Sequence, residues 1–120
     1  MNNPIVDKSL DFAVRIVRFA RVIKSRKEFE LAKQVLRSGT SIGANVAESQ
    51  RAQGDKDFLA KMYVAAKEAS ETEYWLKLLR KADIITDVEY QSLNNDLNEI
   101  VKLLMSITKR LEDKIKQAKS

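Results

Sequence analysis

Turn-forming residues are so scarce in this chain that its structural elements must be long. One proline and three glycines punctuate 120 residues, and no Asn-Gly, Asp-Gly or Gly-Gly dipeptide occurs. Between the breaks, apolar residues recur at three- and four-residue steps, the period of an amphipathic helix. The breaks leave four such stretches, at about 4–24, 26–52, 56–82 and 87–117.

In the first stretch, Asn3 stands where a cap is expected, and Pro4 where a missing N–H costs nothing. Ile5, Phe12, Ile16, Phe19 and Ile23 form one apolar row. Val6, Leu10, Ala13, Val17 and Ala20 form a second, so the apolar face is wider than one neighbour can cover. Arg15, Arg18, Arg21 and Lys24 take the remaining side, with Asp11 placed to tether Arg15 at i,i+4. Ser25 to Glu28 reads as a capping box that starts the second helix. There Phe29, Ala32, Val35 and Leu36 are expected to face the core. Gly39 and Gly43 follow, one turn apart. Each costs up to about 1 kcal/mol against Ala inside a helix, a penalty that close approach of another helix offsets.

Gly54 with Asp55 marks the next break and cap. Phe58, Met62, Ala65, Ala66, Ala69, Leu76 and Leu79 form the third core row. Thr86 to Glu89 is a second capping box. The fourth helix has the cleanest row, Leu93, Leu97, Ile100, Leu104, Ile107, Leu111 and Ile115, with Val101, Met105 and Thr108 as a second apolar edge. It is expected to fray near Lys119. Four long helices with short connections predict an all-α, antiparallel up-down-up-down four-helix bundle, a single domain over 1–120. Surplus apolar surface on helices one and four predicts self-association.

Cysteine and histidine are both absent. Disulfides, thiolate chemistry, the commonest general base and the commonest transition-metal ligand go with them. Glu68, Glu71 and Glu73 have no His to complete a carboxylate-bridged metal site. Gly39-x-x-x-Gly43 lacks the spacing and the Lys of a phosphate loop. No enzyme, metal or cofactor is therefore expected. No apolar run of membrane-spanning length occurs, and the start MNNPIVDKSLD has no basic segment leading into an apolar block, so a cytoplasmic protein without a membrane role is expected.

Ser38, Ser41, Asn45 and Glu48 share one helical stripe, which Arg51 continues. We read Ser41, Asn45, Glu48, Arg51, Glu68 and Glu71 as a polar network joining helices two and three, with Glu68 or Glu71 opposite Arg37 or Arg51. A polar ligand surface is the alternative. Tyr63, Tyr74 and Trp75 sit at helical spacing among leucines, which favours core or interface positions over base stacking.

The net charge is +5, and it is concentrated early: residues 1–24 carry five basic and two acidic groups, residues 83–120 six and seven. Such a stripe supplies salt-sensitive, sequence-independent affinity for phosphates. Arg15, Arg18, Arg21, Lys24, Lys33 and Arg37 are the candidate backbone contacts to RNA or DNA. The alternative is a scaffold that binds another protein and uses its basic residues for solubility.

Two blocks carry a resemblance to a known family. Leu36–Glu48, reading LRSGTSIGANVAE, resembles the signature of the bacterial four-helix-bundle family of the 23S rRNA intervening-sequence protein. So does Asp57-Phe58-Leu59 leading into Ala66–Leu76, AKEASETEYWL. The resemblance covers about residues 8–110, and Ser49 stands where members often have Gly. It implies a four-helix protomer assembling into a homopentamer with a central channel, without catalysis or a cofactor, its motif residues serving packing and assembly. Some members are encoded inside intervening sequences of 23S rRNA genes. Similar bundles include the accessory variability protein of diversity-generating retroelements, which partners nucleic acid and reverse transcriptase.

Overall fold

The structure, a computed structural model, describes residues 3–119. Residues 1, 2 and 120 of the expected 1–120 domain lie outside the described residues. Four helices run as α1 Pro4–Ser25, α2 Phe29–Ser49, α3 Asp55–Lys81 and α4 Asp87–Lys119, with no strand among the described residues. Each is antiparallel to the next, and α4 returns beside α1. Among the described residues the backbones of the diagonal pairs, α1–α3 and α2–α4, stay more than 8 Å apart at Cα, and α1–α4 is the sparsest seam.

One apolar core joins all four helices. The whole first row of α1 is buried, and so are Leu93, Leu97, Ile100 and Leu104 of α4. Ile107, Leu111 and Ile115 are only half-buried. Lys8 pairs with Glu99, and α1 begins one turn before Lys8, so the last turns of α4 have only α3 to pack on.

The two mid-helix glycines lie where α1 packs closely on α2. A Cβ on Gly39 would stand 2.8 Å from the Ile16 side chain, and one on Gly43 would stand 3.0 Å from the Ser9 carbonyl oxygen. Close approach thus offsets their poor helix propensity, and the helix that comes close is α1.

The ends of the helices depart from the sequence reading in three places. Ser25 does not cap α2. It ends α1, its hydroxyl donating to the Val22 carbonyl, and the chain reverses through Lys27 at φ +67° before α2 starts at Phe29. Asn3 occupies the cap position in extended conformation, but its side chain donates to Gln50 Oε1 at 3.1 Å across the bundle end. Gly54, at φ +99°, is itself the N-cap of α3; Asp55 is the first helical residue, and Asp57 accepts the Gln53 N–H at 3.0 Å.

The second capping box forms as expected. The Thr86 N–H donates to Glu89 Oε1 at 2.9 Å and the Glu89 N–H to Thr86 Oγ1 at 3.1 Å. Arg26 then ties the first loop to the third. It donates to the Ile84 carbonyl at 2.6 Å and pairs with Glu89 at 3.0 Å.

Phe29 and Leu36 correct another expectation: they are 56% and 39% exposed rather than in the core. Ala32 and Val35, between them in sequence, are buried. The apolar stripe of α2 is wider than the interior, and its outer edge opens onto the surface beside α1.

Candidate nucleic-acid interface

That outer edge borders a groove of about 550 Å³ between α1 and α2. Its base is Ala20 and Ala32, both buried, flanked by Val17, Phe29 and Leu36. Arg21 and Lys24 of α1 face Lys33 of α2 around it. Antiparallel packing brings these cations together, since the end of α1 lies beside the start of α2. None of the three makes an ion pair among the described residues. Glu30 is the one carboxylate on the lining.

The other candidate cations lie elsewhere. Arg15 and Arg18 line two smaller cavities of about 390 and 470 Å³ along the α1–α4 seam. Arg15 is not tethered by Asp11 as its spacing suggested. It reaches across to α4, donating to Asp96 Oδ2 at 2.7 Å, the Ser92 carbonyl at 3.0 Å and Ser92 Oγ at 2.6 Å. A carboxylate on a packed neighbour is met by a guanidinium already aimed at it, whereas the i,i+4 pair is worth only a few tenths of a kcal/mol. Arg18 makes no ion pair among the described residues. Lys8 donates to Glu99 at 2.9 Å, and that hydrogen bond raises its pKa.

Arg37 stands on the opposite flank of α2. It bridges Glu68, at 3.4 Å, and Glu71 on α3, and donates to Gln34 Oε1 at 3.2 Å. Glu71 also accepts the Trp75 indole N–H at 3.2 Å. Of the residues read as a network, the structure brings Glu68 and Glu71 together through Arg37. It does not bring Ser41 and Asn45 to α3: their side chains bond the Arg37 and Ser41 carbonyls of their own helix at 2.6 and 2.8 Å. Glu48 meets Lys61 at 3.9 Å, and Arg51 has no ion pair among the described residues.

The buried link between α2 and α3 is instead the hydroxyl pair of Thr72 and Ser38, Oγ1 to Oγ 3.0 Å. Thr72 was invisible to pattern reading because a threonine at a core position interrupts the apolar row. Tyr63 and Tyr74 are exposed rather than in the core. A hydrogen bond to Glu112 holds the Tyr63 hydroxyl above its ordinary pKa. Tyr74 and Trp75 meet edge-on, ring centroids 5.0 Å apart.

No cluster of three or more acidic, His or Cys side chains among the described residues can hold a metal ion. No helix among the described residues is long and apolar enough to cross a membrane. The class that emerges is an antiparallel four-helix bundle whose distinctive surface is a groove ringed by unpaired cations.

The chain belongs to the 23S rRNA-intervening sequence protein family, whose model matches residues 1–106. It is also similar to a crystal structure, at 1.70 Å resolution, of a protein of unknown function from the S23 ribosomal protein family of Bacteroides thetaiotaomicron VPI-5482. The two are 55% identical, with a TM-score of 0.85 over 88% of this chain and 98% of that one. No curated protein matches the chain.

Proposed function

We propose that the protein is a non-enzymatic, self-associating bundle of the cytoplasm that holds the phosphate backbone of RNA or DNA through the cations of its α1–α2 groove. The observation that carries this reading is the convergence of Arg21, Lys24 and Lys33, from two helices, without a carboxylate bound to any of them. Cations held together yet unneutralised repel one another, and a polyanion relieves that repulsion. The family description makes ribosomal RNA the first ligand to try.

Self-association draws support from exposed apolar side chains on α1 and α4, namely Leu10, Val14, Val22, Val88 and Met105. A pentamer is the form that the resemblance implies. Each added copy repeats the groove, so weak contacts combine into useful affinity.

The test is binding of structured rRNA fragments across a salt series, with sedimentation of the free protein alongside. The expected result is affinity that falls linearly on logarithmic axes as salt rises. No binding at low salt, or affinity indifferent to salt, overturns the nucleic-acid reading. A clean monomer at micromolar concentration overturns the assembly.

A further inference from the structure

We infer that the α1–α2 groove takes an unpaired nucleobase, so that the protein selects single-stranded nucleic acid over duplex; this rests on the nucleic-acid reading above and names its ligand class. Charge alone does not separate the two forms, since both present phosphates. What separates them is the surface between the cations. Here Arg21, Lys24 and Lys33 surround an apolar hollow rather than a convex polar face. A duplex stacks its bases inside itself and has nothing to place there. A single strand offers a planar, largely apolar base beside each phosphate.

Phe29 supplies the surface for that base. It opens α2, is 56% exposed, and lies one turn before Lys33 on the same helix. An aromatic face next to cations that track a backbone is the recurring arrangement of single-strand binding. Ala20 and Ala32 leave the hollow its depth, and Val17 and Leu36 give it apolar sides. These five residues offer no side-chain hydrogen-bonding group, so preference among bases is weak. Glu30 repels phosphate from its own part of the lining and favours an exocyclic amino group there.

The experiment compares a single-stranded RNA oligonucleotide of about 12 nucleotides, within usual site sizes, with a duplex of the same length, by fluorescence anisotropy on the full chain across a salt series that starts at low salt. Phe29→Ala and Phe29→Tyr are measured beside the unaltered protein. The single strand is expected to bind more tightly than the duplex. Phe29→Ala is expected to lower single-strand affinity by about 5- to 150-fold, the usual loss on removing one stacking ring. Its salt slope and its duplex affinity stay unchanged, because no phosphate contact is lost. Phe29→Tyr keeps the ring and keeps the affinity.

Equal or tighter binding of the duplex, or a Phe29→Ala variant with unaltered single-strand affinity, overturns this inference while leaving salt-dependent backbone binding in place. A change of oligomeric mass in Phe29→Ala overturns it too, since the groove then holds a second copy of the chain. Failure of both probes to bind at low salt overturns the inference and the proposed function together.

Discussion

Gly43 lies so close to Ser9 that a methyl group in place of its α-hydrogen would come within 3.0 Å of the Ser9 carbonyl oxygen. The obstacle is backbone, which cannot rotate aside. Gly43→Ala gains up to about 1 kcal/mol of helix propensity. It also forces α1 away from α2, and overpacking of this kind costs about 1–3 kcal/mol. A net loss of up to about 2 kcal/mol is expected in urea denaturation. Gly39→Ala meets the fully buried Ile16 and is expected to lose stability as well. A stabilised Gly43→Ala variant would contradict the close approach.

The buried pair Ser38 and Thr72 gives a second test. Thr72 Oγ1 is 3.0 Å from Ser38 Oγ and 2.8 Å from the Glu68 carbonyl. Thr72→Val leaves the Ser38 hydroxyl with only a long 3.5 Å contact to the Val35 carbonyl. About 1–3 kcal/mol is expected to be lost, the penalty for a buried polar group without a good partner. Adding Ser38→Ala removes the stranded hydroxyl, so the double variant is expected to lose less than the sum of the single ones. A double-mutant cycle in denaturant measures the difference. Simple additivity would mean that the hydroxyl pair contributes no coupling.

These two contacts also mark how far the sequence could be read. The rows from Ile5 to Ile23 and from Leu93 to Leu104 were legible, because burial on one face imposes the helical period and both rows are buried along their length. Phe29 and Leu36 obey the same period and lie at the surface. Spacing places a residue on a face, but it does not say where that face ends. Ser25 and Glu28 have the residues of a capping box, yet the Ser25 hydroxyl bonds within α1. Thr86 and Glu89 have them too and form the box. The difference lies in the preceding helix, which runs through Ser25 but has already ended at Lys81 before Thr86. The six candidate cations were legible as charges. Their separation into grooved, seam-lining and ion-paired groups was not, because it depends on which carboxylates neighbouring helices carry.

Acid is expected to weaken the third loop through Glu89. Its carboxyl is held below the ordinary value of 4.5, first by the hydrogen bond from Arg26 and then by the backbone N–H of Thr86. A carboxyl with a lowered folded-state pKa contributes stability that is present above its unfolded value and lost as pH falls through the folded one. The fall therefore begins near pH 4.5 and continues below it. Glu89→Gln keeps an acceptor for the Thr86 N–H but cannot titrate. It is expected to be less stable than the unaltered protein at neutral pH and to lose less between pH 5 and pH 3, a range set about the carboxylate pKa. Thermal melts across that range decide it, and parallel curves for the two proteins would exclude Glu89 as a contributor.

The division of the cations makes the sharpest functional test. Arg21, Lys24 and Lys33 have no carboxylate partner, whereas Arg15 is held by Asp96 and Arg37 by Glu68 and Glu71. A phosphate that recruits Arg15 or Arg37 must displace a carboxylate, so the net gain is small. One that meets Lys33 displaces only counterions, and their release is what the salt dependence reports. Arg21→Gln, Lys24→Gln and Lys33→Gln are each expected to reduce the salt slope by about 0.7–0.9 and to weaken binding alike across sequences. Arg15→Gln and Arg37→Gln are expected to leave the slope nearly unchanged. Arg15→Gln would cost about 0–1 kcal/mol of stability, as exposed ion pairs usually do, and Arg37→Gln more, because it strands the largely buried Glu68 carboxylate. Should Arg15→Gln or Arg37→Gln flatten the slope as much as Lys33→Gln does, the ion pairs would be open in the complex, and the contact surface would extend over all of α1 rather than centre on its groove with α2.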